Sequence, residues 1–193
     1  MKNAEATREP SASAPFSAFV FKTVADPHTG RISLFRVYSG VLKADTTVRN
    51  PGRESDERVG TLELLQGKLP VPVPEIQAGD LGAVAKLKDT HTGDTLSDKA
   101  HPIVYPPLSF PEPATTFAIE PKTRGDEDKI SSAMHRLMEE DPVIRLAHDP
   151  QTHEILLSGV GQLHIEVIVG RLKKRYKVEV NLKIGRASCR ERV

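Results

Sequence analysis

Five prolines between residues 102 and 113 (Pro102, Pro106, Pro107, Pro111 and Pro113) divide this chain into two stretches with different hydrophobic rhythms. Proline fixes φ and carries no amide hydrogen, so a segment this dense in it continues neither a sheet interior nor a helix and reads as a stiff bridge. Before the bridge, residues 16–103 alternate short runs rich in Val, Phe, Leu and Thr with turn signals at Asp26-Pro27, Gly30, Asn50-Pro51-Gly52, Gly67, Gly79-Asp80 and Gly93-Asp94. That punctuation predicts an all-β barrel. Partial alternation over residues 16–24 and 31–38 offers Phe19, Phe21, Ile32, Leu34 and Phe35 to a core, and the intervening DPHTG suits a hairpin connection. Residues 1–14 are small and polar, with a proline at Pro10, and predict a disordered leader.

After the bridge the period changes. Residues 116–120 read as a strand. Asp126 is a candidate N-cap, Glu127 and Asp128 suit the positive end of a helix, and Ile130, Ala133, Met134, Leu137 and Met138 share one helical face. Pro142 ends that helix. Residues 143–147 and 154–158 read as strands joined by Asp149-Pro150-Gln151-Thr152-His153, followed by a helix over 162–176 and a strand over 178–182. The order βαββαβ is that of the ferredoxin-like split motif.

Composition removes several function classes. The chain has 27 Lys plus Arg against 26 Asp plus Glu, so no global field steers a polyanion to it and any nucleic-acid contact must be local. Cys189 is the single cysteine and lies in a polar tail, where no apolar scaffold could hold a base beside a nucleophile. No signal-peptide core or spanning apolar run is present, which predicts a cytoplasmic protein with no membrane partner. His135, His148, His153 and His164 fall on different predicted elements without paired ligand spacing, so no metal site is expected. Glu139, Glu140 and Asp141 read as a solvated helix end rather than an acid–base pair. Gly60 and Gly67-Lys68 do not make a phosphate loop, because six residues separate the glycines and Leu69 stands where Ser or Thr is needed.

Two segments invite functional readings beside plain ones. In GVGQLHIE, residues 159–166, Gly159 and Gly161 allow a tight strand-to-helix turn with open dihedrals and close backbone approach, which on spacing alone reads first as an ordinary connection and only second as a contact site. Arg171, Lys173, Lys174, Arg175 and Lys177 could meet RNA phosphates or an acidic protein surface, or could be a solvated last turn favoured by the helix dipole. Tyr176 is the one aromatic interleaved among them.

GVGQLHIE, and upstream FPEPATTFAIEPKTRGDEDKISSAMHRLMEEDPVIRLAHDP, resemble the third domain of elongation factor G, a translational GTPase. FVFKTVADPHTGRISLFRVYSGVLKADTTV, RVGTLELLQGK and IQAGDLGAVAKLKDTHTGDTL resemble that family's second domain, in the same order. The resemblance implies a barrel over residues 15–107 and a ferredoxin-like domain over 108–183. It also implies a role in GTP-driven translocation of transfer and messenger RNA, played as a fragment that docks on the ribosome and relays between domains without catalysing. Implied partners are small-subunit RNA and protein near the decoding centre, together with a GTPase domain of the parent that would hold GTP and magnesium. No cofactor is expected in this chain. Gly159, Gly161, Gln162, Leu163, His164 and Glu166 are implied to face that GTPase domain at the pocket where fusidic acid binds, and the basic set to be a possible ribosome contact. The family usually has Glu at Gln162 and an acidic residue at Gly170. These departures leave room for a paralogue acting in ribosome recycling or ribosome protection; a standalone ribosome- or RNA-binding module is a further alternative. Residues 184–193, IGRASCRERV, do not continue the family pattern and are expected to be an artefactual junction.

Overall fold

In the computed structural model, which describes residues 7–26, 30–67, 69–122 and 127–183, the ten-residue strands β1 (Ser17–Asp26) and β2 (Gly30–Ser39) pair antiparallel as the spine of the first half. Along β2 the residues Ser33, Phe35, Val37 and Ser39 are buried at every second position, as a strand with one face inward requires. On β1 the inward set changes phase, from Ala18 and Val20 to Thr23 and Ala25. A register shift between Val20 and Lys22 causes this, since one extra residue at a bulge exchanges the faces. Phe21 is that residue and is exposed, not a core side chain as the sequence predicts. Ile32 and Leu34 lie on the outer face of β2 and are only half-buried, while Phe19 and Phe35 are buried as expected.

Among the described residues, eight further strands complete this unit: β3 (Val41–Lys43), β4 (Thr47–Asn50), β5 (Ser55–Arg58), β6 (Leu62–Gln66), β7 (Leu69–Val73), β8 (Glu75–Gln77), β9 (Leu81–Ala85) and β10 (Thr95–Ser97). One antiparallel sheet runs β5-β4-β10-β1-β2-β9-β6-β7, and β3 pairs with β8 separately. Both sheets feed one core, in which Leu42 of β3 and Ile76 of β8 meet Phe35, Leu62, Val84 and Leu96. Gly82 makes this possible, because a Cβ there would come within 2.2 Å of Ile76 Cδ1 and 2.8 Å of Phe35 Cζ. Pro70 and Pro72 lie on β7, at a sheet edge where a missing amide donor is tolerated.

The loop between β9 and β10 is tied down by two carboxylates, the buried Glu57 and the half-buried Asp94. Glu57 accepts from the Lys88 and Asp89 amides at 2.9 and 2.7 Å and from the Thr90 hydroxyl at 2.9 Å. Asp94 Oδ2 accepts from Asn50 Nδ2, Arg53 Nε and the His91 amide at 3.0, 2.6 and 2.9 Å. The buried Glu57 is fully satisfied, so it fixes the loop instead of destabilising the core. Part of the expected leader is also held: the Gly40 amide donates to Ser11 O at 2.8 Å, and Arg8 donates to His101 O at 2.6 Å.

The chain divides into two compact units, Met1–Leu108 and Ser109–Val193. The second comprises β11 (Thr115–Pro121), α1 (Glu127–Glu140), β12 (Arg145–His148), β13 (Ile155–Gly159), α2 (Gln162–Arg171), a π-helical turn (Leu172–Tyr176) and β14 (Val180–Lys183). Its antiparallel sheet has the order β12-β13-β11-β14, the ferredoxin-like arrangement. Ile130, Ala133, Met134 and Leu137 of α1 share a core with Ile165 and Ile168 of α2 and with Ile119 and Leu157 of the sheet. Val143, Ile144 and Val178, expected in strands, are buried just before them; Ile144 is held in a turn by its amide bond to Asp141 O. The predicted Asp26-Pro27 and DPHTG turn, the Asp126 N-cap, Lys68 and the tail 184–193 fall wholly or partly outside the described residues. No helix among the described residues is long and apolar enough to cross a membrane.

Candidate functional site

The segment 159–166 joins β13 to α2, and its geometry comes from packing rather than from unusual dihedrals. Gly161, the N-cap residue of α2, has φ −173° and ψ 177°, and Gly159 is not in the left-handed region, so the open dihedrals predicted for them are not used. Gly159 is needed for space: a Cβ there would lie 2.9 Å from both His164 Nδ1 and Ile165 Cδ1. At Gly161 a Cβ would meet nothing within 4 Å.

His164 is why the approach at Gly159 is so close. The Val160 amide donates to His164 Nδ1 at 3.2 Å, which places the ring proton on Nε2, and Nε2 donates to Asp141 Oδ2 at 2.9 Å. The other Asp141 oxygen accepts from the Val143 amide at 3.1 Å. One imidazole thus ties the turn before α2 to the end of α1. Around this brace Val160, Leu163 and Val167 are exposed, Leu163 by 74%. Gln162 Nε2 donates to Glu166 Oε1 at 2.9 Å along the outside of the helix. The arrangement is a hydrogen-bonded turn presenting an apolar ridge with an amide–carboxylate pair beside it. It is suited to contact, and nothing in it supplies a nucleophile.

The acidic end of α1 is not the solvated cluster that its sequence predicts. Asp141 holds His164, and Glu140, whose side chain is 8% exposed, pairs with Arg175 at 2.7 Å and Arg171 at 3.6 Å. The predicted basic set divides accordingly. Arg171 and Arg175 share Glu140, which offsets one of their two charges, and Lys173 pairs with Glu179 at 2.8 Å. Lys122 also reaches Glu179, and the hydrogen bonds from Lys173 and Lys122 hold that carboxyl at about 2, from an ordinary 4.5. Lys174 and Lys177 are exposed and have no ion-pair partner among the described residues. The predicted single helix over 162–176 is α-helical only to Arg171. Its last turn widens to π geometry and ends at Lys177, whose φ is 58°.

Among the described residues no group of three or more His, Cys, Asp or Glu converges as metal ligands, although the His148 and His153 rings lie 6.1 Å apart. Sequence reasoning missed the roles of Asp141 and Glu140. The signal available was an Asp-Pro pair at a helix end, where the Asp side chain is free to bond neighbouring amides.

Compared with known families, residues 15–99 match the model of elongation factor G domain 2, and residues 110–184 match that of elongation factor G, domain III. A crystal structure of a protein from Thermus thermophilus is similar at 33% identity with a TM-score of 0.78, over 89% of this chain and 26% of that one. The chain thus spans about a quarter of the length of that structural relative.

Proposed function

The chain belongs to the elongation factor G family, carrying its domains 2 and III, and from that we propose that it serves translation as the docking and relay portion of a ribosomal GTPase. The observation that carries this reading is the braced turn at 159–166. An exposed ridge of Val160, Leu163 and Val167 on a hydrogen-bonded support is what a protein surface built to receive another domain offers. In the parent a GTPase domain with GTP and magnesium would press on this turn. Gly159, Gly161, Gln162, Leu163, His164 and Glu166 would form the chain's side of a fusidic-acid pocket. The brace between α1 and α2 would carry movement at that turn into the rest of the second unit. The barrel would rest on small-subunit RNA in the cytoplasm.

Competition for ribosomes tests the docking. The 193-residue chain in large excess is expected to displace an intact elongation factor G from ribosomes at low salt; no displacement refutes the reading.

A second reading, a paralogue for ribosome recycling or protection, is favoured by Gln162. Its amide donates to Glu166, whereas a Glu would set two like charges one helical turn apart. Translocation by the intact parent decides between the two: full activity assigns elongation, and its absence beside retained ribosome binding assigns the paralogue.

A further inference from the structure

Between α1 and the π turn lies an open groove of about 340 Å³, lined by Lys129, Ser132, Ala133, Arg136, Tyr176 and Val178. Its chemistry is layered. Ala133 and Val178 are buried, and the half-buried Tyr176 ring packs with them against the core of the second unit. Arg136 is exposed at the rim and has no hydrogen-bond or ion-pair partner among the described residues, unlike Arg171, Lys173 and Arg175 of the neighbouring segment. The π turn carries Tyr176 and then reverses the chain at Lys177, a non-glycine residue in the left-handed region. A left-handed residue is an ordinary way to end a helix, and here it sets Tyr176 and Lys177 side by side at the end of the groove. Lys177 follows Tyr176 directly, and Lys174 is exposed two residues before it.

We propose that this groove takes one unpaired nucleotide of a single-stranded RNA segment, its base lying on Tyr176 and its phosphate held by Arg136, with Lys177 tracking the adjoining backbone. An aromatic floor with cationic rims is the pairing by which proteins hold single strands without reading sequence, since every base has a π face and every linkage a charge. The nucleotide contact narrows within the predicted basic set to Lys177, with Arg136 of α1 added to it, while Arg171, Arg175 and Lys173 pair with Glu140 and Glu179. A phenol at its ordinary value is already neutral at physiological pH, and burial, with Glu140 adding to it, raises that of Tyr176 further. This inference rests on the ribosome-docking reading and narrows it to one groove and one chemical class.

Fluorescence anisotropy of the full chain with a short fluorescein-labelled oligouridylate tests it. Arg136→Ala, a surface change that leaves the core intact, is expected to weaken binding about fivefold and to lower the salt slope by about one. Tyr176→Phe is expected to bind as the unaltered chain does, and Tyr176→Ala about tenfold more weakly. Should Tyr176→Ala unfold by circular dichroism, photo-crosslinking with a 4-thiouridine oligonucleotide replaces it; the adduct is expected on the peptide carrying Tyr176. Affinity unaffected by Arg136→Ala, or an adduct elsewhere, overturns the proposal. So does a polyglutamate peptide that binds through Arg136 where the RNA does not, which would assign the groove to an acidic protein. Co-sedimentation with ribosomes is measured on the same samples. If it persists while RNA binding ignores these variants, the groove is refuted and the docking reading stands; if the unaltered chain does not co-sediment, both fall.

Discussion

Gly159 and Gly161 stand two residues apart in one motif and differ in what they do. The atom a Gly159 Cβ would strike, His164 Nδ1, is fixed by bonds to Val160 and Asp141, so it cannot yield cheaply. Gly159→Ala is therefore expected to destabilise the second unit by about 1–3 kcal/mol. Gly161→Ala, in extended backbone with open space around it, is expected to cost less, about 0.5 kcal/mol, because alanine is a poorer N-cap than glycine. Urea unfolding followed by circular dichroism checks both, and equal effects would contradict the assignment of the close contact. Glu179 gives a second prediction. Its carboxyl is held near 2 against an ordinary 4.5 by Lys173 and Lys122. A depressed carboxylate adds stability above its unfolded value and loses it as pH falls through the folded one. Stability from these pairs is thus complete above about 4.5 and gone near about 2. Glu179→Gln is expected to flatten the acid limb of the urea-midpoint profile in that window, by a small amount because the pair is solvated. A midpoint profile that the substitution leaves unchanged would remove Lys173 and Lys122 as its cause.

Among the elements, α2 and its π extension carry the most information. Gly170 is exposed, and a Cβ there meets nothing within 4 Å, so its only cost is helix propensity. Gly170→Ala is expected to stabilise the unit by about 1 kcal/mol. Denaturant midpoints check this, and a loss of stability would mean that the junction with the π turn needs glycine's freedom. The helix as a stretch was legible from its apolar spacing, with Ile165, Ile168 and Leu172 buried as a 3.6-residue period requires. The change to π geometry was not. Nothing in the local apolar spacing marks where the helix widens at Leu172.

Over the molecule as a whole the charge is nearly balanced, at +1, so affinity for a polyanion must come from a few sites. If Arg136, Lys174 and Lys177 are those sites, the logarithm of oligouridylate affinity should fall against the logarithm of salt concentration with a slope of about −2. A titration series in potassium chloride measures it, and a slope steeper than about −5 would mean a far larger basic surface than the one described.

Hydrophobic period, turn residues and motif wording sufficed for two architectures, a barrel-type unit and a ferredoxin-like one, and for the family. These are set by local rules: glycine at Gly30, Gly67, Gly79 and Gly93 takes positive φ where turns were predicted, and Pro142 follows the end of α1. Tertiary structure decided the rest. It turned Phe21 outward by a bulge that depends on pairing with β2, joined Asp141 to His164 across 23 positions, and sorted five neighbouring cations into paired and available sets. Each of these is a contact between residues distant in sequence, and only packing, which brings the partners together, determines which charge is neutralised and which side chain is left to meet something else.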